Sequence, residues 1–218
     1  LDSAGGQGSA LTASISSPRI YEALLGLRRN PFSRIILEGP EEASALFVRQ
    51  EVDGLLFAML AEAISGSGSC FIVLSGRKGS GRTHRLLVIE DVIERAGGKV
   101  LYFDVAYMAG PDLMDHLIRA ASAQAGGITR VIKSALLGYR KKPPEELEEI
   151  RSSPVKVGEL ILDSLTKEGP AAILFDGIHN AFRLDEYWRF IFFESIREVV
   201  SSMPEGVVVA MAMSESTY

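Results

Sequence analysis

The chain has one cysteine, Cys70, in 218 residues. An internal disulfide is therefore excluded, and a reducing, cytoplasmic compartment is expected. Cys70 opens an apolar run and reads as a small buried residue rather than a reactive thiol. No uninterrupted apolar run reaches the ~18 residues of a membrane-spanning helix, so no membrane partner is expected. Positive charge is also short. The net charge of −5 excludes a global basic field that would gather nucleic acid, though not a local basic patch. Asn occurs twice and Gln three times, which fits a heat-adapted source or a compositional bias of the genome equally well. The opening LDSAGGQGSALTASISSP lacks an initiator Met, a basic n-region and a long apolar h-region. Residues 1–18 read as a flexible segment and not as a signal peptide.

Apolar material is plentiful at 47%, enough for the core of one α/β domain over residues 19–218. Four β-rich apolar runs, Phe71–Leu74, Lys99–Val105, Ala171–Phe175 and Val207–Met213, read as buried strands. Helical spacing appears at Ile20–Leu27, and over a long stretch, Glu41–Ser65, with Gly54 as a candidate break. It recurs at Thr83–Ala96, after Pro111, at Val155–Lys167 and at Trp188–Ser201. In the last of these, Phe190, Ile191, Phe193, Ile196 and Val200 form the expected core stripe. Residues 126–154 carry a basic knot (Arg140, Lys141, Lys142), a Pro-Pro pair and an acidic run, and read as an exposed, partly helical insertion. Strands alternating with helices predict a three-layer αβα domain with a parallel central sheet and a ligand site at the carboxyl ends of its strands.

One stretch carries chemistry, SGRKGSGRT at 75–83. Phosphate needs several N–H donors converging on one point, and a glycine-rich turn entering a helix N-terminus supplies them. Gly76, Gly79 and Gly81 provide the backbone freedom, and Ser80 and Thr83 add hydroxyls, with Thr83 placed for Mg²⁺. The position that a phosphate loop fills with lysine holds Arg82, which keeps the charge on a longer, forked group. A second site, ILFDGIHN at 173–180, ends an apolar strand on Asp176, the partner expected to hold hydrated Mg²⁺ opposite the loop. His84 and His116 read as surface residues.

The order of these motifs resembles a P-loop ATPase of the AAA+ class, on the side of the archaeal origin-recognition initiators and of ATPases that assist transposition and secretion. The matching stretches are LGLRRNPF (25–32), the long helix before the loop, SGRKGSGRT (75–83), YFDV (102–105), LFDGIH (174–179) and VVVAMAMS (207–214). The resemblance implies a P-loop core that binds ATP or ADP with Mg²⁺ through Gly76, Gly79, Ser80, Gly81, Arg82 and Thr83, with metal on Thr83 and Asp176. It places a polar sensor at Ser214. It also implies a protein partner or homo-oligomer, and DNA reached through an assembly, as in replication or transposition, without base-specific reading by this chain.

The sequence departs from that pattern where an acid should follow Asp176. Gly177 stands there, and losing a general base costs ~10²–10⁴ in rate. His179 stands in the motif's last position as a candidate base or a structural histidine. Restoring the acid with Gly177→Glu is expected to raise turnover if the geometry is intact. The helical lid and arginine finger of the class are not expected in these residues. Three readings stand: a nucleotide-binding switch or assembly subunit with weak or no hydrolysis, an active Mg-dependent ATPase using another acid (Glu38, Asp185 or Glu186), and a scaffold that binds no nucleotide. Arg77, Lys78, Arg82 and Arg85 cluster around the loop, and nucleotide phosphates explain them as well as DNA does.

Overall fold

The computed structural model describes residues 39–105, 109–123, 144–165 and 169–215, which fall in one compact unit. The strands are β1 (Cys70–Gly76), β2 (Lys99–Asp104), β3 (Ala171–Asp176) and β4 (Val207–Ser214), each one to three residues longer or shorter than its apolar run. They form a single sheet in the order β1-β4-β3-β2, and every pairing is parallel. The helices are α1 (Pro40–Ala45), α2 (Asp53–Ile64), α3 (Arg82–Arg95), α4 (Gly110–Ala123), α5 (Pro144–Arg151), α6 (Pro154–Leu165) and α7 (Glu186–Ser201). A 3-10 turn, Ile178–Arg183, precedes α7.

The two central strands are buried on both faces, which is why their sequences are nearly unbroken apolar runs. On one face Ala172, Leu174, Val208 and Ala210 meet Leu56 and Leu60 of α2 and Leu86, Ile89 and Ile93 of α3. On the other, Ile173, Phe175, Val207 and Val209 meet α4, α6 and α7. Phe175 stacks on Phe103 at 5.2 Å between ring centroids and meets Phe192 of α7 edge-on at 6.2 Å. Two helical layers thus enclose one parallel sheet, the three-layer α/β arrangement that the alternating pattern predicts.

Four sequence expectations need correction. The stretch Glu41–Ser65 is not one helix: α1 stops at Ala45 and α2 starts at Asp53, and Gly54 lies inside α2. Val48, Val52 and Leu55 continue the apolar period through the gap, yet they are 81%, 66% and 69% exposed. On α7 the buried residues are Ile191, Phe192, Ser195, Ile196 and Val199, so the core stripe is rotated and Phe190 faces solvent. The carboxylate of Asp185 accepts the Trp188 N–H at 3.1 Å and starts this helix two residues earlier than expected. His84 and His116 are part-buried, not surface residues: His84 Nε2 lies 2.6 Å from the Ala43 carbonyl, and His116 meets the Phe103 ring edge-on.

Residues 1–38, with LGLRRNPF, Ile20–Leu27 and Glu38, lie outside the described residues, as does the basic knot Arg140–Lys142. The described end of the 126–154 stretch includes α5. There Arg151 pairs with Glu148, lies 3.7 Å from Asp115 of α4 and sits over the Trp188 ring at 5.4 Å. Among the described residues no helix is long and apolar enough to cross a membrane.

Candidate functional site

All four strands end on the same edge, where the glycine loop, Asp176 and Ser214 lie. Gly76 is the buried last residue of β1 and pairs in register with Ser214, the buried last residue of β4. Ser214 therefore sits at the strand end where the sensor is expected. Asp176 ends β3, in register with Asp104 at the end of β2. Because β4 runs between β1 and β3, the loop and Asp176 are separated by two strand spacings, about 10 Å.

From Gly76 the chain turns through residues 77–81 into the first turn of α3. Gly79 and Gly81 hold φ of +86° and +78°, left-handed values that a side chain resists. Gly76 is in close quarters for a different reason: a Cβ there would lie 2.6 Å from the Ser80 hydroxyl, and that side chain would have to shift. The Ser80 N–H donates to the Arg77 carbonyl at 3.1 Å, closing the turn. The amides at the start of α3 have no intrahelical acceptor, and the helix dipole adds partial positive charge there. Arg82 and Thr83 are the first two residues of this helix, and Thr83 is exposed.

The four basic residues near the loop do different things. Arg77 is exposed and lies 3.8 Å from Glu215, and Lys78 is exposed. Arg82 reaches across to β4, where its Nη1 donates to the Met213 carbonyl. Among the described residues, that bond commits one of its five guanidinium donors. Arg85 forms an ion pair with the buried Asp53 and also donates to the Ser80 carbonyl of the loop at 2.9 Å.

Asp176 has a partner that sequence reasoning missed. The Tyr102 hydroxyl of β2 donates to its Oδ2 at 3.0 Å. Burial, the neighbouring Asp176 charge and that hydrogen bond push the Tyr102 phenol far above its ordinary range, so it stays a donor. The Asp104 carboxyl is raised by burial and then by Asp176. On α3, Glu90 is pushed up to about 7 by burial and by Glu94 and Asp91. With Oδ2 held by Tyr102, Oδ1 of Asp176 is left for a hard cation that brings water and phosphate oxygens as its other ligands, and the residues present fit Mg²⁺ of that kind. Among the described residues no group of three or more His, Cys, Asp and Glu forms a protein-only metal cage. The parity of Tyr102 and Asp104 along β2 was the available signal, but only the β2–β3 register brings them to Asp176.

Gly177 follows with φ of +67° and starts the 3-10 turn. Asn180 fixes that turn: its N–H donates to the Gly177 carbonyl at 2.9 Å and its Nδ2 to the Val105 carbonyl at 2.7 Å. A Cβ on Gly177 would lie 3.1 Å from Asn180 Nδ2. The glycine is therefore part of the backbone path, and an acid put back at 177 would strain that path and press on Asn180. His179 lies in the 3-10 turn, and its buried Nδ1 makes no hydrogen bond. Of the other candidate acids, Asp185 is engaged as a helix cap and Glu186 is exposed in the first turn of α7.

No family model matches the chain, and no curated protein does. Among solved structures the chain is similar to an ATPase domain, with 11% identity and a TM-score of 0.32, over 76% of this chain and 72% of that one. A likeness that distant assigns no family. The class of protein is defined by the fold, an α/β domain on a four-stranded parallel sheet.

Proposed function

We propose that the chain is a P-loop nucleotide-binding module that takes ATP or ADP with Mg²⁺ and hydrolyses ATP slowly or not at all, acting as a switch or assembly subunit. The observation that carries this reading is the path of Gly76–Thr83, from the end of a parallel strand through two left-handed glycines into a helix start, on the same edge as Asp176. In this reading the loop amides and Arg82 hold the phosphates, Thr83 and Asp176 hold the metal, and Ser214 lies beside the loop. Mg²⁺, when bound, neutralises phosphate charge. Slow hydrolysis follows from residue 177, where no carboxylate is available to orient water. The AAA+ placement and an approach to DNA through an assembly rest on motif order, and the cytoplasmic setting rests on the single cysteine.

A second reading, an active ATPase, is favoured by one observation: the imidazole of His179 sits three residues past Asp176 with an unpartnered Nδ1. Calorimetric titration with ADP and with ATP, with and without Mg²⁺, tests the first reading, and steady-state phosphate release separates the two. The expected result is Mg-dependent binding with turnover far below ~1 s⁻¹, the low end of ordinary enzymes. No binding of either nucleotide overturns the reading in favour of a scaffold. Turnover near ~1 s⁻¹ that His179→Gln abolishes overturns the slow-hydrolysis half.

A further inference from the structure

We propose that Arg85 is a positioning residue for the loop, holding the Ser80–Gly81 peptide so that the Gly81 N–H is presented to phosphate. This rests on the reading of Gly76–Thr83 as a phosphate loop. Arg85 lies in the first turn of α3, and its guanidinium is almost fully committed. Nε donates to Asp53 Oδ1 at 2.7 Å, Nη2 donates to Gln50 Oε1 at 3.0 Å and Asp53 Oδ2 at 3.3 Å, and Nη1 donates to the Ser80 carbonyl at 2.9 Å. The side chain is 13% exposed and that of Asp53 is 1% exposed. Asp53 is fixed in turn by the Gln50 N–H at 2.8 Å.

A side chain this constrained acts on the loop through one atom, the Ser80 carbonyl oxygen. In a planar trans peptide the C=O and the following N–H point in opposite directions. Pinning the Ser80 carbonyl toward Arg85 therefore aims the Gly81 N–H away from it. The Ser80 N–H is already held by the Arg77 carbonyl, so the peptides on both sides of Ser80 are fixed before any ligand arrives. Fixed donors bind an anion without first paying to be ordered. Gly81 serves the arrangement twice. It takes the left-handed φ, and it leaves room for the guanidinium, because a Cβ there would lie 3.2 Å from Arg85 Nη1. Only a forked, planar group bridges Asp53 and the Ser80 carbonyl at once; a lysine ammonium keeps the charge beside Asp53 but lacks the fork.

The test compares the full chain with Arg85→Lys, and with Asp53→Asn, which removes the counter-charge but keeps the shape. Hydrogen exchange without nucleotide reads the loop directly. Amides 79–83 should exchange several-fold faster in Arg85→Lys, with β1 and the interior of α3 unchanged. Affinity for Mg-ADP and for inorganic triphosphate should fall together by about tenfold, the worth of one charge-assisted hydrogen bond. Asp53→Asn should do the same to a smaller extent, and it carries the test if Arg85→Lys fails to fold. Unchanged loop exchange and affinity overturn the proposal, as does faster exchange spread over the whole sheet, which would mean a structural role only. Wild-type chain that binds neither nucleotide nor triphosphate removes the phosphate-loop reading itself. Wild-type binding matched by both variants removes only the role of Arg85.

Discussion

Replacing Gly177 tests the proposal that residue 177 keeps hydrolysis slow. A residue with a Cβ resists the left-handed backbone by about 1–2 kcal/mol. At Gly177 the Cβ would also press on Asn180 Nδ2 at 3.1 Å, the atom that holds the Val105 carbonyl. Losing that hydrogen bond adds about 1 kcal/mol. Gly177→Ala should therefore destabilise by roughly 2–3 kcal/mol, which lowers the melting temperature by about 4–12 °C in a chain of this size. Gly177→Asn should cost less, because asparagine tolerates that backbone. Gly177→Glu should carry the alanine penalty and leave turnover at the wild-type level, since its carboxylate leaves a left-handed position and not an extended strand. Urea titrations of the four proteins, with phosphate release at saturating Mg-ATP, measure both quantities. A Gly177→Glu protein as stable as wild type, with turnover raised tenfold or more, would refute the reasoning and mean that only the acid is missing.

Burial pushes the Asp53 carboxyl up, but the Arg85 hydrogen bond, the Gln50 amide and the charges of Arg85 and Arg49 outweigh it and hold the group below its ordinary value. A depressed folded value contributes stability above the unfolded pKa, about 3.9, and loses it as pH falls through the folded one. Asp53→Asn should thus flatten the acid limb of a melting-temperature profile below about pH 4, and an unaltered limb would exclude Asp53 as its source. Tyr102→Phe takes away the hydroxyl that orients Asp176 and should raise the Mg²⁺ needed for half-maximal nucleotide binding by about tenfold or more; an unchanged Mg²⁺ titration would place the metal elsewhere. The Cys70 thiol, buried and pushed up to about 11 by burial and by Glu62, should resist a thiol reagent at pH 8 in the native chain and react at once in urea. Rapid native labelling would show that β1 opens.

The strands were legible because central parallel strands are apolar on both faces, and runs such as AAILF have no competing reading. The loop was legible because its glycines sit where the backbone needs them. What was hidden depended on packing. Val48, Val52 and Leu55 keep a helical period across a gap between helices, and period alone does not reveal that they face solvent. Phe190 and Phe192 are equally apolar, and only the docking of α7 on Phe175 decides which is buried. At the site, the Tyr102–Asp176 and Arg82–Met213 contacts join residues 74 and 131 positions apart, set by strand register and order. The same holds for Gly177, where an absent acid and a required backbone turn look identical in sequence.

The placement of β4 has a consequence for how the chain is made. Among the described residues β1 pairs only with β4, and β4 is also what joins it to β3. Val207 follows Gly76 by 131 positions (207 − 76). At about 5–20 residues per second, the ribosome takes roughly 7–26 s to deliver the partner of β1. Until then CFIVL is an unpaired apolar edge, the kind of segment that associates with the wrong neighbour. Arg82 likewise has no Met213 carbonyl to bind before β4 arrives. Anchoring of the loop's arginine therefore waits for β4, and a nascent chain stalled before Val207 would carry the whole glycine loop without the strand that anchors its arginine.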